Sequence, residues 1–340
     1  MRVLVTGGAG YIGSVVADRL LGDRHSVTVL DNLSKGHRKA VPAKAQFILA
    51  DTGDQSALAR VFEQGRFDAV MHFAAFIEAG ESVLCPEKYF ENNSARTLNL
   101  LQAVLRYRVP RFVLSSTAAV YGEPRRIPIV EDDPLEPTNA YGESKLIVER
   151  MLAWFHTVHG LRYASLRYFN AAGATADRGE AHHPETHLIP LVLQVALGKR
   201  HAISIFGTDH PTRDGTCIRD YIHVDDLATA HLLALDGLEE HSRLICNLGS
   251  GNGFSVREVI EVANQVTGHK IPAVEAPPRA GDPAVLIAST EKISRVLGWN
   301  PQRSDIESII RSAWEWHRGH PNGYGLLEES TPAHERLADL

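Results

Sequence analysis

The chain has 340 residues, of which 44% are hydrophobic and 22% are charged, and its formal net charge is −6. This globular composition excludes disorder or a fibrous fold for most of the chain, and the length suits one large domain or two modest ones. The mildly acidic charge gives no general attraction to nucleic acid or membranes, and three dispersed cysteines exclude a disulfide scaffold and favour a reducing cytoplasm.

Short, β-branched apolar segments alternate with helical patterns through the first half of the chain. The segments typical of strands buried on both faces are 2–7, 26–31, 46–51, 67–75, 111–116 and 163–170. The helical patterns between and after them are 12–21, 55–64, 87–106 and 141–159. This alternation predicts an α/β fold, namely a Rossmann-like doubly wound parallel sheet with helices on both faces.

The regular alternation stops after Asn170. One apolar helix, 188–197, follows, and it is too short to span a membrane. Capping boxes at Ser255–Glu258 and Ser304–Glu307 predict two later helices, the second running to about Trp316. We therefore expect a first domain over 1–170, a smaller lobe over 171–320 with segments returning to the sheet, and a loosely held tail over 321–340.

A glycine-rich loop joins the first strand to the first helix. Gly7, Gly10 and Gly13 have the spacing GxxGxxG, which permits a tight turn, close approach to a pyrophosphate and tight packing of the helix on the strand. Such a triplet alone also fits an ordinary turn. The context favours a dinucleotide site, because Asp31 ends the second strand 18 residues later.

Two carboxylates follow the second and third strands. Asp31 is placed to accept hydrogen bonds from adenosine ribose hydroxyls, and its charge would repel a 2′-phosphate, so NAD is favoured over NADP. Asp51 has two open roles, which are to approach the adenine or to cap the next helix.

Tyr141-Gly-Glu-Ser-Lys145 places a phenol and an ammonium on one helical face. A phenol is a poor base at neutral pH, and a neighbouring positive charge makes it usable. The fifth strand ends in Ser115-Ser116-Thr117, so a hydroxyl is expected at the carboxyl edge of the sheet, where ligands of such folds bind. These features together predict a catalytic site.

TGGAGYIG, LDN, HFAA, SST…YG, YGESK and LRYFN resemble the extended short-chain dehydrogenase/reductase family over residues 2 to about 320. FGTDHPTRDGTCIRDYIHV and NLGSGNGFS narrow the resemblance to its nucleotide-sugar 4-epimerases. The resemblance implies an isomerase of galactose metabolism that interconverts UDP-galactose and UDP-glucose through a 4-keto intermediate on tightly held NAD. Tyr141 would take the 4-hydroxyl proton, Thr117 would hydrogen-bond the 4-oxygen, and Lys145 would hold the nicotinamide ribose and tune Tyr141.

The resemblance also implies contacts beyond the catalytic residues. The cofactor set comprises Gly7, Gly10, Tyr11, Ile12, Gly13, Asp31, Asn32, Leu33, Ser34, Lys35, Gly36, Asp51, Thr52, Phe73, Ala74, Ala75, Phe76, Asn92, Thr117, Tyr141, Lys145 and Phe169. The nucleotide-sugar set comprises Thr117, Tyr141, Asn170, His187, Leu188, Phe206, Arg219, Tyr221, Arg279, Asp282 and Leu286. Two alternatives stay open, since Phe206 also fits a core position and Arg219 a surface ion pair.

Three positions depart from the family pattern. Ile77 stands where many members carry Lys, His187 where an Asn often contacts substrate, and Leu286 where members have Tyr or a small residue. Leu286 also fits a simple packing role. No metal site is expected, because Pro184 breaks the helical spacing of His182, His183 and His187 and favours a solvated loop.

Related reactions and a non-catalytic role are the alternatives. Dehydratases and decarboxylases of the family carry acidic residues after the fifth-strand Thr, where this chain has Ala118 and Ala119. An NADPH-consuming reductase is disfavoured by Asp31, and a non-catalytic NAD sensor by the presence of both Tyr141 and Lys145. The resemblance further implies a homodimer built from helices 87–106 and 141–159.

Overall fold

The computed structural model describes residues 1–279 and 283–325. Its strands are β1 Arg2–Thr6, β2 Ser26–Asp31, β3 Gln46–Leu49, β4 Ala69–His72, β5 Arg111–Thr117, β6 Arg162–Tyr168, β7 Asn170–Ala172, β8 Ile203–Phe206, β9 Ile218–His223, β10 Arg243–Leu248, β11 Gly253–Ser255, β12 Ala273–Ala276 and β13 Val285–Leu286. Its α-helices are α1 Tyr11–Gly22, α2 Gln55–Gly65, α3 Ala79–Leu84, α4 Pro86–Tyr89, α5 Arg96–Arg106, α6 Ala140–His159, α7 Leu188–Ala196, α8 Val224–Gly237, α9 Val256–Thr267, α10 Glu291–Leu297 and α11 Ile306–Gly319.

Seven strands form the main sheet, in the order β10-β6-β5-β4-β1-β2-β3, and every neighbouring pair is parallel. The predicted doubly wound parallel sheet is therefore confirmed. The strand order reverses between β1 and β4, and in such sheets ligands bind in the crevice outside the carboxyl ends of the strands at this point. β10, which comes late in the chain, forms one edge.

The sheet is buried on both faces because consecutive side chains of each strand point to opposite sides. Val3 and Val5 pack in one apolar cluster with residues of α1 and α8. Leu4, between them, packs in a second cluster with residues of α2, α5 and α6. All three side chains are fully buried. This two-sided burial explains why the strands read as continuous apolar runs in the sequence.

A separate apolar cluster holds part of the chain after Asn170, whereas α8 and β10 pack in the cluster of the main sheet. β9 pairs with β7, β11 and β13 in a four-stranded sheet, and β8 pairs with β12. Helices α7, α9 and α11 pack around side chains such as Leu193, Val259 and Ile309. Among the described residues, no helix is both long and apolar enough to cross a membrane.

Of the two predicted capping boxes, the first is confirmed and the second is wrong. Ser255 and Glu258 form the predicted capping box of α9. Ser304 does not cap α11, because Asp305 accepts the hydrogen bond from the Ser308 amide. The hydroxyl of Ser304 is instead buried and donates to Asp226 at 2.7 Å.

The predicted helix over 87–106 is not one regular α-helix. It consists of α4, a π-helical segment Phe90–Ala95 and α5. A π-helical segment adds a residue per turn and is frequent at functional sites. Here it carries Asn92 and Asn93, which lie beside the crevice described below.

Candidate active site

The glycine loop between β1 and α1 leaves the start of α1 open to a ligand. Gly10, at the N-cap, offers no side chain to the first amides of the helix. Gly7 has a φ of +75°, and a Cβ there would lie 2.4 Å from the Ala74 nitrogen, so only glycine fits. An uncapped helix start beside a tight glycine turn suits a pyrophosphate.

Asp31 organises this loop from the end of β2. Its carboxylate accepts hydrogen bonds from the amides of Ala9, at 3.0 Å, and Leu33, at 2.8 Å. Burial raises the pKa of this carboxyl, and the two amide bonds oppose the shift. A carboxylate has further lone pairs for ribose hydroxyls, and it disfavours a 2′-phosphate at the same place. The residues present therefore fit NAD.

One of the two roles left open for Asp51 is wrong. Asp54, not Asp51, caps α2 by accepting from the amides of Ser56 and Ala57. Asp51 accepts hydrogen bonds from Asn32 Nδ2 at 2.7 Å and from Arg96 Nη1 at 2.8 Å. It is thus held at the mouth of the crevice, close to the loop that follows Asp31.

The other predicted cofactor residues lie on six segments. Lys35 pairs with Glu78 at 2.8 Å, which links the loop after β2 to the loop after β4. The placement of the rest is as follows: Tyr11, Ile12 and Gly13 open α1; Asn32, Leu33, Ser34 and Gly36 follow β2; Thr52 follows β3; Phe73, Ala74, Ala75 and Phe76 follow β4; Asn92 lies in the π-helical segment; Phe169 lies between β6 and β7.

Thr117 and Tyr141 meet at the carboxyl end of β5. Thr117 is the last residue of β5, and Tyr141 lies in the first turn of α6, which Asn139 caps. Burial raises the pKa of Tyr141 to about 12, a hydrogen bond with Thr117 opposes the shift, and the charge of Glu78 adds to it. Gly142 permits this approach, because a Cβ there would lie 2.5 Å from the Ala119 carbonyl oxygen.

Lys145 lies one turn further along α6 and is fully buried. Its Nζ donates to the carbonyl oxygen of Ser115 at 2.9 Å. Burial lowers the pKa of Lys145 to about 8, and the charge of Glu149 partly restores it. The expectation that Lys145 tunes Tyr141 stays a prediction, since burial and Thr117 dominate the Tyr141 pKa here.

Glu149 is a supporting residue that the sequence analysis missed. It accepts from Ser116 Oγ at 2.5 Å and from Arg167 Nη2 at 2.6 Å, and both charged side chains are about 95% or more buried. Arg167 also donates to the Tyr121 hydroxyl at 2.9 Å. This network fixes the Tyr141–Lys145 face of α6 against β5 and β6. The i, i+4 spacing of Lys145 and Glu149 was the available signal.

Asn93 is a second residue that the sequence analysis missed. Its side chain accepts from the Phe76 amide at 2.9 Å and donates to Ser144 Oγ at 3.0 Å. It therefore ties the loop after β4 to the first turns of α6. Asn92, the predicted neighbour, donates to Asn93 Oδ1 at 3.0 Å. The adjacent pair of asparagines in an apolar helical pattern was the available signal for this linking role of Asn93.

The predicted nucleotide-sugar residues lie on the second lobe and its junction with the sheet. Phe206, at the end of β8, is 37% exposed, so the alternative of a core position is wrong. The Arg279 guanidinium lies over the Phe206 ring, 4.1 Å from the ring centroid. Asn170 Nδ2 donates to the Asp220 carbonyl at 2.9 Å. The remaining members are placed as follows: Leu188 starts α7, Arg219 and Tyr221 lie on β9, and Leu286 lies on β13, while Asp282 falls outside the described residues.

Leu286 lies near the catalytic end of β5. It packs against a small apolar cluster that contains Ala118 and Tyr121, just after Thr117. Its partner in the strand pairing is Arg219. The packing role and the substrate role of Leu286 are therefore compatible.

The expected solvated histidine loop is wrong for His182, whose side chain is 19% exposed. His182 and His187 turn toward Glu180 and Glu185, whose side chains are only 4% and 6% exposed. His187 Nδ1 lies 2.5 Å from Glu180 Oε1, although the His187 side chain is 43% exposed. His183 is exposed, as expected. Periodicity could not reveal this cluster, because its residues lie on a loop.

Comparisons with known proteins match this chain along nearly its whole length. The family described as "NAD dependent epimerase/dehydratase family" matches residues 3–249. The UDP-glucose 4-epimerase of Streptomyces lividans is 56% identical over 95% of this chain and 98% of its own.

Two solved structures show the same fold. The UDP-glucose 4-epimerase of Brucella ovis in complex with NAD is 45% identical, with a TM-score of 0.89, and the match covers 92% of this chain and 97% of that one. The UDP-glucose 4-epimerase of Bifidobacterium longum in complex with NAD+ and UDP is 36% identical, with a TM-score of 0.91, and the match covers 94% of this chain and 99% of that one.

Proposed function

This chain belongs to the NAD dependent epimerase/dehydratase family, and from that premise we propose that it acts as a UDP-glucose 4-epimerase interconverting UDP-galactose and UDP-glucose. The observation that carries the proposal is the position of the Tyr141–Thr117 pair. This pair lies at the carboxyl edge of the sheet whose switch point holds the open glycine loop. A dinucleotide bound on that loop would place its reactive end next to a phenol and a hydroxyl.

The protein is an NAD-dependent enzyme. When bound, NAD supplies a two-electron acceptor that takes the hydrogen at C4 of the sugar and returns it, so the net reaction is redox-neutral. The amides at the start of α1 would hold the pyrophosphate, and Asp31 the adenosine ribose. Lys145, largely protonated near neutral pH, would hold the second ribose from the floor of the crevice.

Tyr141 would exchange a proton with the 4-oxygen of the sugar. In the protein alone its pKa is about 12, so the phenol needs added positive charge to act as a base near neutral pH. The Lys145 ammonium is already present on the same face of α6, so the added charge would come from the oxidised nicotinamide of bound NAD. Thr117 would hydrogen-bond the same sugar oxygen and keep it within reach. The 4-keto sugar would then turn on its nucleotide anchor and accept its proton back on the same oxygen.

The nucleotide anchor would come from the second lobe. Phe206 is exposed and offers a ring face that suits a uracil, with Arg279 stacked beside it. Arginines at 219 and 279 suit a diphosphate, since charge-assisted bonds to phosphate oxygens are strong. Both residues lie on segments that follow the catalytic domain in the chain, so the second lobe would complete the site.

The alternative reactions, dehydration and decarboxylation, need an extra acid and base that this chain lacks after Thr117. Ala118 is buried in an apolar cluster with Val120 and Leu146. Among the described residues, no carboxylate occupies positions 118 or 119. Elimination of water and decarboxylation both need proton transfer there, and alanine cannot provide it. The geometry thus favours epimerisation.

A homodimer fits the exposed apolar surface of the protein, and three free cysteines fit the cytoplasm. Large apolar side chains are exposed on neighbouring helices α3, α5 and α6, and Trp154 and Val158 are 69% and 65% exposed. Val83 and Leu84 on α3 and Leu98 on α5 are also exposed. Soluble monomers rarely expose contiguous apolar surface of this kind, so a second copy would cover it.

The proposal is tested on the purified protein without added cofactor. Denaturation should release NAD and not NADP, and the intact protein should convert UDP-galactose to UDP-glucose. Chromatography of both mixtures measures the two outcomes. Release of NADP, or an inactive protein that carries full NAD, would contradict the proposal.

A further inference from the structure

Four metal-ligating side chains converge on the loop that precedes α7. Among residues 1–279 and 283–325, Glu180, His182, Glu185 and His187 form the group of histidines and carboxylates whose ligand atoms lie within 4.8 Å of one another. The catalytic residues and the proposed cofactor site do not include this cluster, and the resemblance places only its last member, His187, in the nucleotide-sugar set. Its members come from one short segment, with spacings of two, three and two residues.

The distances within the cluster suit a tetrahedral ion. Glu180 Oε1 lies 3.1 Å from His182 Nδ1 and 2.5 Å from His187 Nδ1. Glu185 Oε1 lies 4.0 Å and 3.5 Å from the same two nitrogens. With metal–ligand distances of about 2.0–2.2 Å, tetrahedral zinc places its ligand atoms about 3.3–3.6 Å apart. Shifts of less than an ångström would bring all four atoms onto one ion.

An ion pair alone leaves the cluster incomplete. His187 Nδ1 is within hydrogen-bond distance of Glu180 Oε1, and the side chain of Glu180 is only 4% exposed, whereas that of His187 is 43% exposed. The second carboxylate, Glu185, accepts hydrogen bonds from the amides of Thr186 and His187. His182 Nδ1 is buried and lies 3.1 Å from Glu180 Oε1, but it makes no hydrogen bond. A buried polar atom left without a hydrogen bond is costly.

A divalent cation would give this nitrogen of His182 a partner. Two carboxylates and two neutral imidazoles around a doubly charged ion give a neutral site, and the ion occupies the unpartnered lone pair of His182. Mixed imidazole and carboxylate ligands suit zinc, whereas magnesium and calcium prefer oxygen ligands. We propose that Glu180, His182, Glu185 and His187 bind a zinc ion with four protein ligands.

The position of the cluster indicates a structural role for this ion. Four protein ligands leave no open coordination position for catalysis. His187 is the N-cap of α7, and it has no side-chain hydrogen bond to the helix. The ring of His182 meets the edge of Tyr11 in the glycine loop, at a centroid distance of 6.4 Å. The ion would fix the start of α7 relative to the cofactor-binding helix.

Zinc binding to the full-length, NAD-containing protein tests the proposal. After treatment with a chelator and removal of the chelator, the protein should take up one zinc per chain, measured by elemental analysis. Competition with a chromophoric chelator should give an affinity that falls at least about tenfold in His182→Gln and in Glu185→Gln, since even outer-shell changes cost that much. Substitution by Co²⁺ should give the visible absorption of a tetrahedral site.

The matched control is His183→Gln, which changes the exposed neighbour and should bind zinc like the parent. Zinc should also raise the midpoint of thermal unfolding of the parent and not of His182→Gln. His182 is 19% exposed, so that variant should fold even if Glu185→Gln does not. No zinc uptake by the parent, or equal affinity in His182→Gln, would show that the four side chains form only an ion-pair cluster.

Discussion

Tyr141 carries the sharpest test at the level of single residues. Its hydroxyl is buried beside Thr117 and is the group placed to exchange a proton with the sugar. Tyr141→Phe keeps the ring, so UDP should bind as before. Turnover should fall by about 10²–10⁴, the usual contribution of a general base. Steady-state kinetics and calorimetric UDP binding measure the two effects.

The control for this variant is Tyr107→Phe. Tyr107 ends α5 and donates to Glu63 at an exposed site, far from the crevice. Its loss should leave turnover unchanged. Near-normal turnover in Tyr141→Phe would show that another group takes the proton.

Leu286 tests the breadth of the sugar pocket. It packs beside the residues that follow Thr117, and it is shorter than the Tyr of some relatives in the resemblance. We expect UDP-galactose and UDP-glucose as main substrates, with weak activity on UDP-N-acetylglucosamine. Leu286→Tyr should suppress the N-acetyl activity and spare the hexose pair, whereas Leu286→Ala should raise it. Chromatographic assays on both sugar pairs measure this. Equal effects on both pairs would show that Leu286 is not the gate.

Single residues also show where sequence reasoning stops. Tyr141, Lys145 and Thr117 were predictable because helix spacing and strand ends fix their positions. The choice between the two roles of Asp51 was not predictable, because Asp54, three residues later, can also cap α2. The cluster around Glu180 depends on a loop conformation that no periodic pattern encodes.

At the level of elements, caps were predictable only where no tertiary contact competes. Ser255 caps α9 as its capping box predicts. Ser304 has the same local pattern, yet Asp226 takes its hydroxyl and Asp305 becomes the cap. The π-helical segment Phe90–Ala95 was equally invisible, since the apolar pattern over 87–106 resembles that of a regular helix. The strands of the main sheet were predictable because burial on both faces leaves a continuous apolar signal.

The exposed face of α6 gives a prediction about assembly. Trp154 is 69% exposed on this helix, next to Val158. If a second copy covers this face, Trp154→Glu places a charge in the interface and should shift the protein from dimer to monomer. Size-exclusion chromatography with light scattering measures the mass.

Val274→Glu is the matched control for this change. Val274 is also an exposed apolar residue, 52% exposed, but it lies on β12 in the second lobe. This variant should remain dimeric. A dimeric Trp154→Glu protein would place the interface elsewhere.

At the scale of the whole molecule, buried histidines predict sensitivity to acid. Burial lowers the pKa of His72 to about 3, and those of His223 and His231 to about 4, from the usual 6.5. Below about pH 6.5 the unfolded chain binds protons that the folded protein does not. The free energy of unfolding should therefore fall as the pH drops toward 4, and each histidine should contribute up to about 1.4 kcal/mol per pH unit.

His231→Leu isolates one of these contributions. Its Nδ1 hydrogen-bonds the Leu227 carbonyl, and its Nε2 is buried without a partner. Between pH 6 and pH 4, the three histidines together make the free energy of unfolding fall with pH. The variant should lose about a third of that slope, measured by urea unfolding. The exposed His201→Leu should keep the parent slope. Identical slopes in His231→Leu and the parent would contradict this account.

The central claim is that the bound cofactor makes this site an epimerase that returns to each sugar the hydrogen taken from it. The most direct measurement uses UDP-galactose deuterated at C4, incubated with the purified protein and no added cofactor. We predict that the UDP-glucose formed retains its deuterium at C4, as read by mass spectrometry and NMR. Loss of the label to solvent, or no conversion by protein that carries NAD, would contradict the account.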